Sequence, residues 1–227
     1  MSVESAILLV DKAPGWTSHD VIAYMRGVLK IKKVGHSGTL DPMASGLLIL
    51  LLGKATKLQS EYLGLPKRYA GQITLGAETD TWDAEGKTVK TAPVPPFGRE
   101  DLEKVLKELT GKIKQPIPFY SAKKVNGQAM YKKARMGENI ERENEIEIYS
   151  WDKVALDGNK IEFEVSCSSG TYIRSLAVMI ARMLGTAGHL SELRRLSIGD
   201  FDVKDALGIE KIKTMRAEEI EKWLRIL

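Results

Sequence analysis

The chain has 227 residues, of which 43% are hydrophobic and 28% charged, so its composition is that of an ordinary globular protein. Lysine and arginine number 34 against 30 acidic residues, and the net charge of +4 permits a polyanionic partner without requiring one. Cys167 is the only cysteine, which excludes a disulfide within one chain and predicts a reducing, cytoplasmic setting. The longest apolar run, Leu47–Leu52, is far shorter than the roughly 20 residues of a membrane-spanning helix, so we expect neither a secreted nor a membrane protein.

The first part of the chain predicts a strand, a helix and a buried run on either side of a glycine-rich loop. Ile7–Val10 has the pattern of a short buried strand, and Ser18 is the predicted N-cap of the helix that follows. That helix carries its apolar residues on one face. Leu47–Leu52 is short, uninterrupted and closed by Gly53, which suits a strand or a helix buried on all sides.

The later part of the chain combines alternating and helical patterns. Apolar residues alternate with polar ones in Tyr69–Leu75 and Ile161–Cys167, which predicts two half-buried strands. Amphipathic helices are predicted around Leu102–Leu109 and from about Ile173 to Leu184, and a short one at about Ala217–Leu224. Strands in antiparallel-style alternation with a few helices predict an α+β fold rather than a doubly wound parallel sheet.

The segment Gly35–Gly46, with the sequence GHSGTLDPMASG, is the part of the chain most typical of a functional loop. Pro42 disfavours the helical region for Asp41, so the Asp41 carboxylate is presented from a stiffened, extended backbone. From this segment alone, an Asx-turn role for Asp41 is as reasonable as a catalytic one. A phosphate-binding loop fits less well, because neither GxxxxGK[ST] nor GxGxxG spacing is present and a central acid would repel phosphate.

Two basic stretches, Arg26–Arg68 and Pro116–Arg142, indicate a surface for a phosphate backbone, although each alone is equally typical of a solvated face. The three histidines are too scattered for a zinc motif. We therefore expect no metal.

Several motifs in a fixed order resemble the bacterial tRNA pseudouridine synthase B (TruB) family, from about Leu8 to Phe201. They are DKAPGWTSHD (Asp11–Asp20), VGHSGTLDPMASGLL (Val34–Leu48), KRY (Lys67–Tyr69), TDTWDAEG (Thr79–Gly86), YSAKKVNGQAMYKKAR (Tyr120–Arg135), SSGTYIRSL (Ser168–Leu176) and HLSELRR (His189–Arg195). The resemblance implies the pseudouridine synthase fold, with a mixed, largely antiparallel central sheet flanked by helices and loops, in one catalytic domain over residues 1–227. It also implies the activity: the T-loop uridine (uridine 55) of tRNA is isomerised to pseudouridine without a cofactor.

The resemblance assigns catalytic roles to three residues. Asp41 is implied to be the catalytic carboxylate, and Arg174 to pair with it and keep it ionised. Asp83 would in turn hold Arg174. Tyr69 offers a flat face for the uracil and a hydroxyl near C5, where a proton must be removed.

Three further residues are implied to bind the flipped nucleotide. His36 resembles the family residue that fills the space left by the base, and Tyr172 and Leu193 complete an apolar pocket. If Tyr172 and Arg174 both line the site, their spacing requires the helix to begin at or after Ile173.

The second basic stretch matches the family's inserted thumb loop, at about residues 116–142, which is implied to grip the T arm of tRNA. Tyr120 and Tyr131 offer stacking surfaces there. The basic residues beside them are Lys123, Lys124, Lys132, Lys133 and Arg135. This insertion favours a stand-alone tRNA enzyme over the related synthases that need a guide RNA and protein partners. We expect the protein to be a monomer.

The chain ends at Leu227, and we expect no complete C-terminal RNA-binding (PUA) domain within residues 1–227. Two other hypotheses remain. A non-catalytic RNA-binding module would not need Asp41, and a metal- or phosphate-dependent enzyme would need an acidic or histidine cluster to hold an ion.

Overall fold

The structure, a computed structural model, describes residues 4–119 and 142–227, with the backbone of residues 124–125 and 128–129. The chain divides into two compact units, of which the first comprises Met1–Tyr69 and Leu193–Leu227 and the second Ala70–Glu192. Within the described residues, no helix has the length and apolar character needed to cross a membrane.

The strands and the helices are each numbered in chain order. The strands are β1 (Ser5–Lys12), β2 (Val34–His36), β3 (Ser45–Gly53), β4 (Lys67–Leu75), β5 (Ala77–Thr79), β6 (Thr88–Thr91), β7 (Gly111–Pro116), β8 (Lys124–Val125), β9 (Gln128–Ala129), β10 (Glu143–Asp157), β11 (Lys160–Cys167), β12 (Gly188–Ile198), β13 (Phe201–Asp202), β14 (Leu207–Gly208) and β15 (Arg225–Ile226). The helices are α1 (Ser18–Leu29), α2 (Gln59–Gly64), α3 (Arg99–Glu108), α4 (Ile173–Met183), α5 (Ile209–Ile212) and α6 (Ala217–Glu221).

The first unit contains a mixed set of strands. Strand β1 pairs antiparallel with β3 and parallel with β14, and β3 also pairs antiparallel with β2. Strand β12 runs parallel to β3, with Arg194 opposite Ser45 and Arg195 opposite Gly46. The predicted α+β class with a mixed, largely antiparallel sheet is confirmed.

The apolar run Leu47–Leu52 is a strand, and its residues are buried on both faces. Successive residues of a strand point to opposite sides, so a run that is apolar throughout serves two cores. Leu48, Leu50 and Leu52 belong to the cluster covered by α1, α5 and α6. The opposite cluster contains Leu47, Ile49 and Leu51. This sandwiched strand forms a rigid support for the loop that precedes it.

The prediction of Ser18 as N-cap of α1 is wrong by one residue, because Thr17 is the cap. The Thr17 hydroxyl accepts from the Asp20 amide at 3.0 Å, and the Asp20 carboxylate accepts from the Thr17 amide at 2.8 Å. The Ser18 hydroxyl instead bonds both backbone groups of Leu40, accepting from its amide at 2.9 Å and donating to its carbonyl at 3.3 Å.

In the second unit, β10 pairs antiparallel with β11 and with β7, and β5 pairs with β6. The strand and helix predicted at Ile161–Cys167 and Leu102–Leu109 are confirmed by β11 and α3. Helix α4 begins at Ile173, the start that we expected if Tyr172 and Arg174 both line the site. Strand β10 was not predicted, and the helix expected at about Ala217–Leu224 is the shorter α6.

Candidate active site

Asp41 lies half-buried in the loop between β2 and β3, just before Pro42. Its carbonyl accepts a hydrogen bond from the Ala44 amide at 3.1 Å, which closes a tight turn around the proline. Before the turn, Leu40 is tied to Ser18 of α1 by the two bonds described above. The carboxylate therefore stands on a short turn whose entry is fixed.

Lys12, at the end of β1, fixes the exit of the same turn. Its side chain is fully buried, and the ammonium donates to the carbonyl of Pro42 at 3.3 Å. The same ammonium donates to the carbonyls of Trp16 at 2.7 Å and Ala13 at 3.1 Å. A buried ammonium needs such acceptors, so Lys12 joins the loop to the segment before α1.

Arg195 of β12 lies beneath the loop and is 1% exposed. Its Nε donates to the carbonyl of Leu47 at 2.7 Å, and its Nη2 to the carbonyl of Gly38 at 3.1 Å. Tyr69 accepts a further hydrogen bond from this guanidinium. Burial lowers the pKa of Arg195, but Tyr69 and the Asp41 carboxylate oppose this effect, and a guanidinium stays protonated.

The approach of β12 to β3 depends on Gly46. Its φ is +105°, and a Cβ added there would lie 2.2 Å from the carbonyl oxygen of Arg195. Any other residue would meet this backbone directly, so glycine is needed for Arg195 to reach the loop.

His36 is uncharged at neutral pH. Its pKa is lowered to about 4, chiefly by burial and further by the nearby His19 and Arg195. Its Nδ1 accepts a hydrogen bond from the Gly38 amide at 3.1 Å, so the ring proton resides on Nε2. The His19 ring packs edge-on against it, with centroids 5.9 Å apart.

In the second unit, Arg174 and Asp83 form a buried ion pair, at 5% and 3% exposure. The Nη1 of Arg174 lies 3.5 Å from the Asp83 carboxylate and donates to the carbonyl of Thr81 at 2.9 Å. The Thr81 hydroxyl and the Glu85 amide both donate to Asp83, at 2.6 Å and 3.1 Å. The predicted contact between Asp83 and Arg174 is confirmed.

Tyr172 precedes α4 and has an extended backbone. The fully buried amide of Gln115 binds both its backbone groups, accepting from its N–H at 2.7 Å and donating to its carbonyl at 3.3 Å. The Tyr172 side chain packs against Ile117. These two hydrogen bonds hold Tyr172 outside the helix. The direction of its side chain is therefore not set by the helical spacing between Tyr172 and Arg174.

The predicted site residues fall into two groups. His36, Asp41, Tyr69 and Leu193 belong to the first unit, where His36, Asp41 and Tyr69 all interact with Arg195. Asp83, Tyr172 and Arg174 belong to the second. The pairing of Asp41 with Arg174, and the pocket of Tyr172 with Leu193, stay predictions. The thumb side chains of Tyr120, Lys123, Lys124, Tyr131, Lys132, Lys133 and Arg135 lie outside the described residues.

Arg195 was not among the predicted site residues, although it ends the motif HLSELRR. Two adjacent arginines on a strand point to opposite faces, so one of them had to point inward. Arg194, its neighbour, pairs instead with Asp11 at 2.7 Å and is 40% exposed. The pattern therefore contained a signal for a buried arginine, but not for which one.

Two family models together match most of the chain. Residues 26–173 match the model of the TruB family pseudouridylate synthase (N terminal domain), and residues 174–227 match the tRNA pseudouridylate synthase B C-terminal domain. The tRNA pseudouridine synthase B of Caldanaerobacter subterraneus subsp. tengcongensis is 43% identical over 229 residues, covering 99% of this chain and 80% of the relative. The protein of the same name from Opitutus terrae is 42% identical, covering 96% of this chain and 91% of the relative.

Solved structures share the fold. A chain of a Cbf5-Nop10-Gar1 complex superposes with a TM-score of 0.75 at 28% identity, and one of an H/ACA RNP bound to a substrate RNA containing 2'-deoxyuridine with 0.71 at 26%. Each superposition covers 99% of this chain and 60% of the other. The family models and the full-length similarity give the same assignment: the chain belongs to the TruB family of pseudouridylate synthases.

Proposed function

We propose that this protein is a tRNA pseudouridine synthase that isomerises uridine 55 in the T loop, with residues 1–227 acting as one catalytic domain. The observation that carries the proposal is the setting of Asp41. Its carboxylate belongs to the motif GHSGTLDPMASG and stands on a turn. The backbone on both sides of Asp41 is held by hydrogen bonds from Ser18, Lys12 and Arg195. Such preorganisation suits a group that must act on one atom of a bound substrate.

The proposed reaction is an isomerisation. The bond between N1 of uracil and C1′ of ribose breaks, and a bond between C1′ and C5 forms. C5 loses a proton and N1 gains one, so nothing is oxidised and no water is consumed. Positive character builds at C1′ as the glycosidic bond breaks, and the Asp41 carboxylate stabilises or traps it, as carboxylates do in glycoside hydrolysis.

The other site residues have supporting roles in this proposal. The uracil must leave its stack, at a cost of about a few kcal/mol, and the neutral ring of His36 fills the vacated space. Tyr69 lies against the uracil with its hydroxyl near C5. Arg174, held by Asp83, pairs with Asp41, and Tyr172 and Leu193 enclose the base.

The proposed partner is the T arm of tRNA, gripped by Lys123, Lys124, Lys132 and Lys133 without a guide RNA or protein partner. In the first basic stretch, Arg26, Lys30, Lys32, Lys33, Lys54, Lys57 and Arg68 are exposed and suited to phosphates. Lys67 is not, because it is buried and donates to the carbonyls of Leu63 and Leu65. A cytoplasmic monomer is part of the proposal.

The direct test incubates the pure protein, without added metal, with an unmodified tRNA transcript and maps pseudouridine by position. Product at uridine 55 is expected, and a transcript with cytidine at that position should give none. Product only at other uridines would reject the T-loop assignment. Tight binding without any product would instead indicate a non-catalytic RNA-binding module.

Salt dependence tests the grip. The logarithm of the tRNA affinity should fall linearly with the logarithm of salt, by close to one unit of slope for each phosphate neutralised. Changing Lys123, Lys124, Lys132 and Lys133 together to glutamine should flatten that slope. Filter binding from about 50 to 300 mM salt measures it. A slope unchanged in the variant would show that these lysines do not contact the backbone.

A further inference from the structure

Arg195 has contacts that its place in the core does not require. A buried cation is costly unless polar groups surround it, and an apolar residue would fill the same space without that cost. The guanidinium is nevertheless 1% exposed, and its hydrogen-bond partners are the carbonyl of Gly38 in the Asp41 loop, the carbonyl of Leu47 in β3 and the side chain of Tyr69, with the Asp41 carboxylate nearby.

The two carbonyl partners lie on opposite sides of Asp41. Gly38 precedes it by three residues in the loop, and Leu47 follows it at the start of β3. A guanidinium is planar with its donors in a fixed fork, so it sets the separation of the two acceptors. One side chain therefore ties the backbone just after β2 to the backbone of β3 near its beginning.

The same guanidinium also joins the loop to Tyr69. Tyr69 is 8% exposed, so its hydroxyl has little access to water and needs hydrogen-bonding groups of the protein. The proposed carboxylate and the proposed group near C5 thus share one support, which comes from a third strand, β12.

We propose that Arg195 is a positioning residue for the pseudouridine synthase reaction. Through its hydrogen bonds to the Asp41 loop and to Tyr69, it fixes the position of the carboxylate relative to the Tyr69 side chain. This inference rests on the proposed function. It assigns Arg195 no contact with substrate. Its loss should slow the chemical step while leaving tRNA affinity nearly unchanged, because the RNA-binding groups lie elsewhere.

The test compares Arg195→Gln and Arg195→Lys with Arg194→Gln. Glutamine removes the charge and the fork, whereas lysine keeps the charge but loses the planar fork. Arg194 is the matched control, since it is the next guanidinium on the same strand and pairs with Asp11. Single-turnover pseudouridine formation, tRNA affinity and hydrogen exchange of the amides in residues 36–44 are measured on each variant.

We expect the single-turnover rate of Arg195→Gln to fall about 100-fold, as misplacement by about 1 Å does, with tRNA affinity within about threefold. Arg195→Lys should recover part of that rate. Exchange in residues 36–44 should speed up in both Arg195 variants and not in Arg194→Gln, whose rate should stay within about threefold of the wild type.

Three results would overturn the proposal. One is a folded Arg195→Gln with a rate near that of the wild type, and another is a loss of affinity that accounts for the loss of rate. If Arg195→Gln does not fold, the Arg195→Lys variant replaces it in the test. The third contradicting result is then an Arg195→Lys variant with the wild-type rate and with unchanged hydrogen exchange in residues 36–44. A wild-type protein that makes no pseudouridine would reject the proposed function alone, because the exchange comparison still reports whether Arg195 sets the loop.

Discussion

Two buried arginines, Arg195 and Arg174, are held in different ways. Arg195 of the first unit donates to neutral backbone acceptors, the carbonyls of Gly38 and Leu47, and the Asp41 carboxylate lies near enough to raise its pKa. Arg174 of the second unit lies against a carboxylate, that of Asp83, which is itself fixed by Thr81 and Glu85. The first arginine therefore shapes a backbone loop, whereas the second is itself oriented by a charged partner.

This difference predicts different consequences of mutation. Around Arg195 the geometry depends on how closely β12 approaches the loop, so steric changes should be the most damaging. Around Arg174 the geometry depends on the charge of Asp83, so a substitution that removes this charge without changing the size of the side chain should be enough to destabilise the site.

Gly46→Ala should have the largest effect on stability. The new Cβ would meet the backbone of Arg195 at a residue with φ of +105°, so β12 must shift or the unit must unfold. We expect a loss of about 4 kcal/mol or more, measured by urea unfolding. Gly27→Ala is the control, because Gly27 lies in α1 with open space around it. Alanine there should raise the free energy of unfolding by about 0.5–1 kcal/mol, since it favours the helix more than glycine does. Equal stabilities of the two variants would contradict the close approach of the strands.

Asp83→Asn should have the next largest effect. It leaves the Arg174 guanidinium buried without its anion, which should cost about 2–3 kcal/mol of stability and slow pseudouridine formation. Glu78→Gln is the control in the same unit, since the Glu78 side chain is likewise buried, at 8% exposure, but its partner Arg182 is 51% exposed and is not left as a buried cation. That change should cost about 1 kcal/mol or less, with no effect on the rate. Similar losses from both substitutions would mean that burial of the Arg174 pair has no special importance.

The smallest expected effect is the pH dependence contributed by His36. Its pKa is about 4 in the folded protein against 6.5 for an ordinary histidine, so only the unfolded chain binds this proton between those values. The contribution of His36 to the free energy of unfolding should therefore be fully present above pH 6.5 and be lost as the pH falls toward 4. Its size should be on the order of 1 kcal/mol, because the ring is partly exposed.

NMR titration of the histidine rings at several pH values checks this directly. Because Arg195 contributes to the lowered pKa, Arg195→Gln should raise the pKa of His36. A His36 pKa near 6.5 in the wild type would show that the ring is more solvated than the structure has it.

Much of the fold followed from local patterns. Alternation predicted β4 and β11, and helical periodicity predicted α3 and α4, because each of these elements buries one regular face. Strand β10 was missed because its alternation is interrupted. It contains register shifts after Ile148 and Asp152, and Lys153 has a φ of +46°.

The candidate site was less predictable, since its supports come from distant parts of the chain. Asp41 could be found within its own motif, but Arg195 is defined by acceptors 148 and 157 residues away. The N-cap of α1 shows the same limit. Thr17 and Ser18 are both suitable caps, and the choice was decided by Leu40, which occupies the Ser18 hydroxyl.

The most direct test of the central claim is the single-turnover yield of pseudouridine by Asp41→Asn, with tRNA affinity measured on the same sample. Asparagine keeps the size and most of the hydrogen bonding of Asp41 but removes its charge, so the loop should still fold. The yield should fall to background while the affinity persists or rises slightly, because one negative charge near the RNA is gone. A near-normal yield with intact binding would contradict Asp41 as the catalytic carboxylate, and lost binding in a folded protein would make it a recognition residue instead.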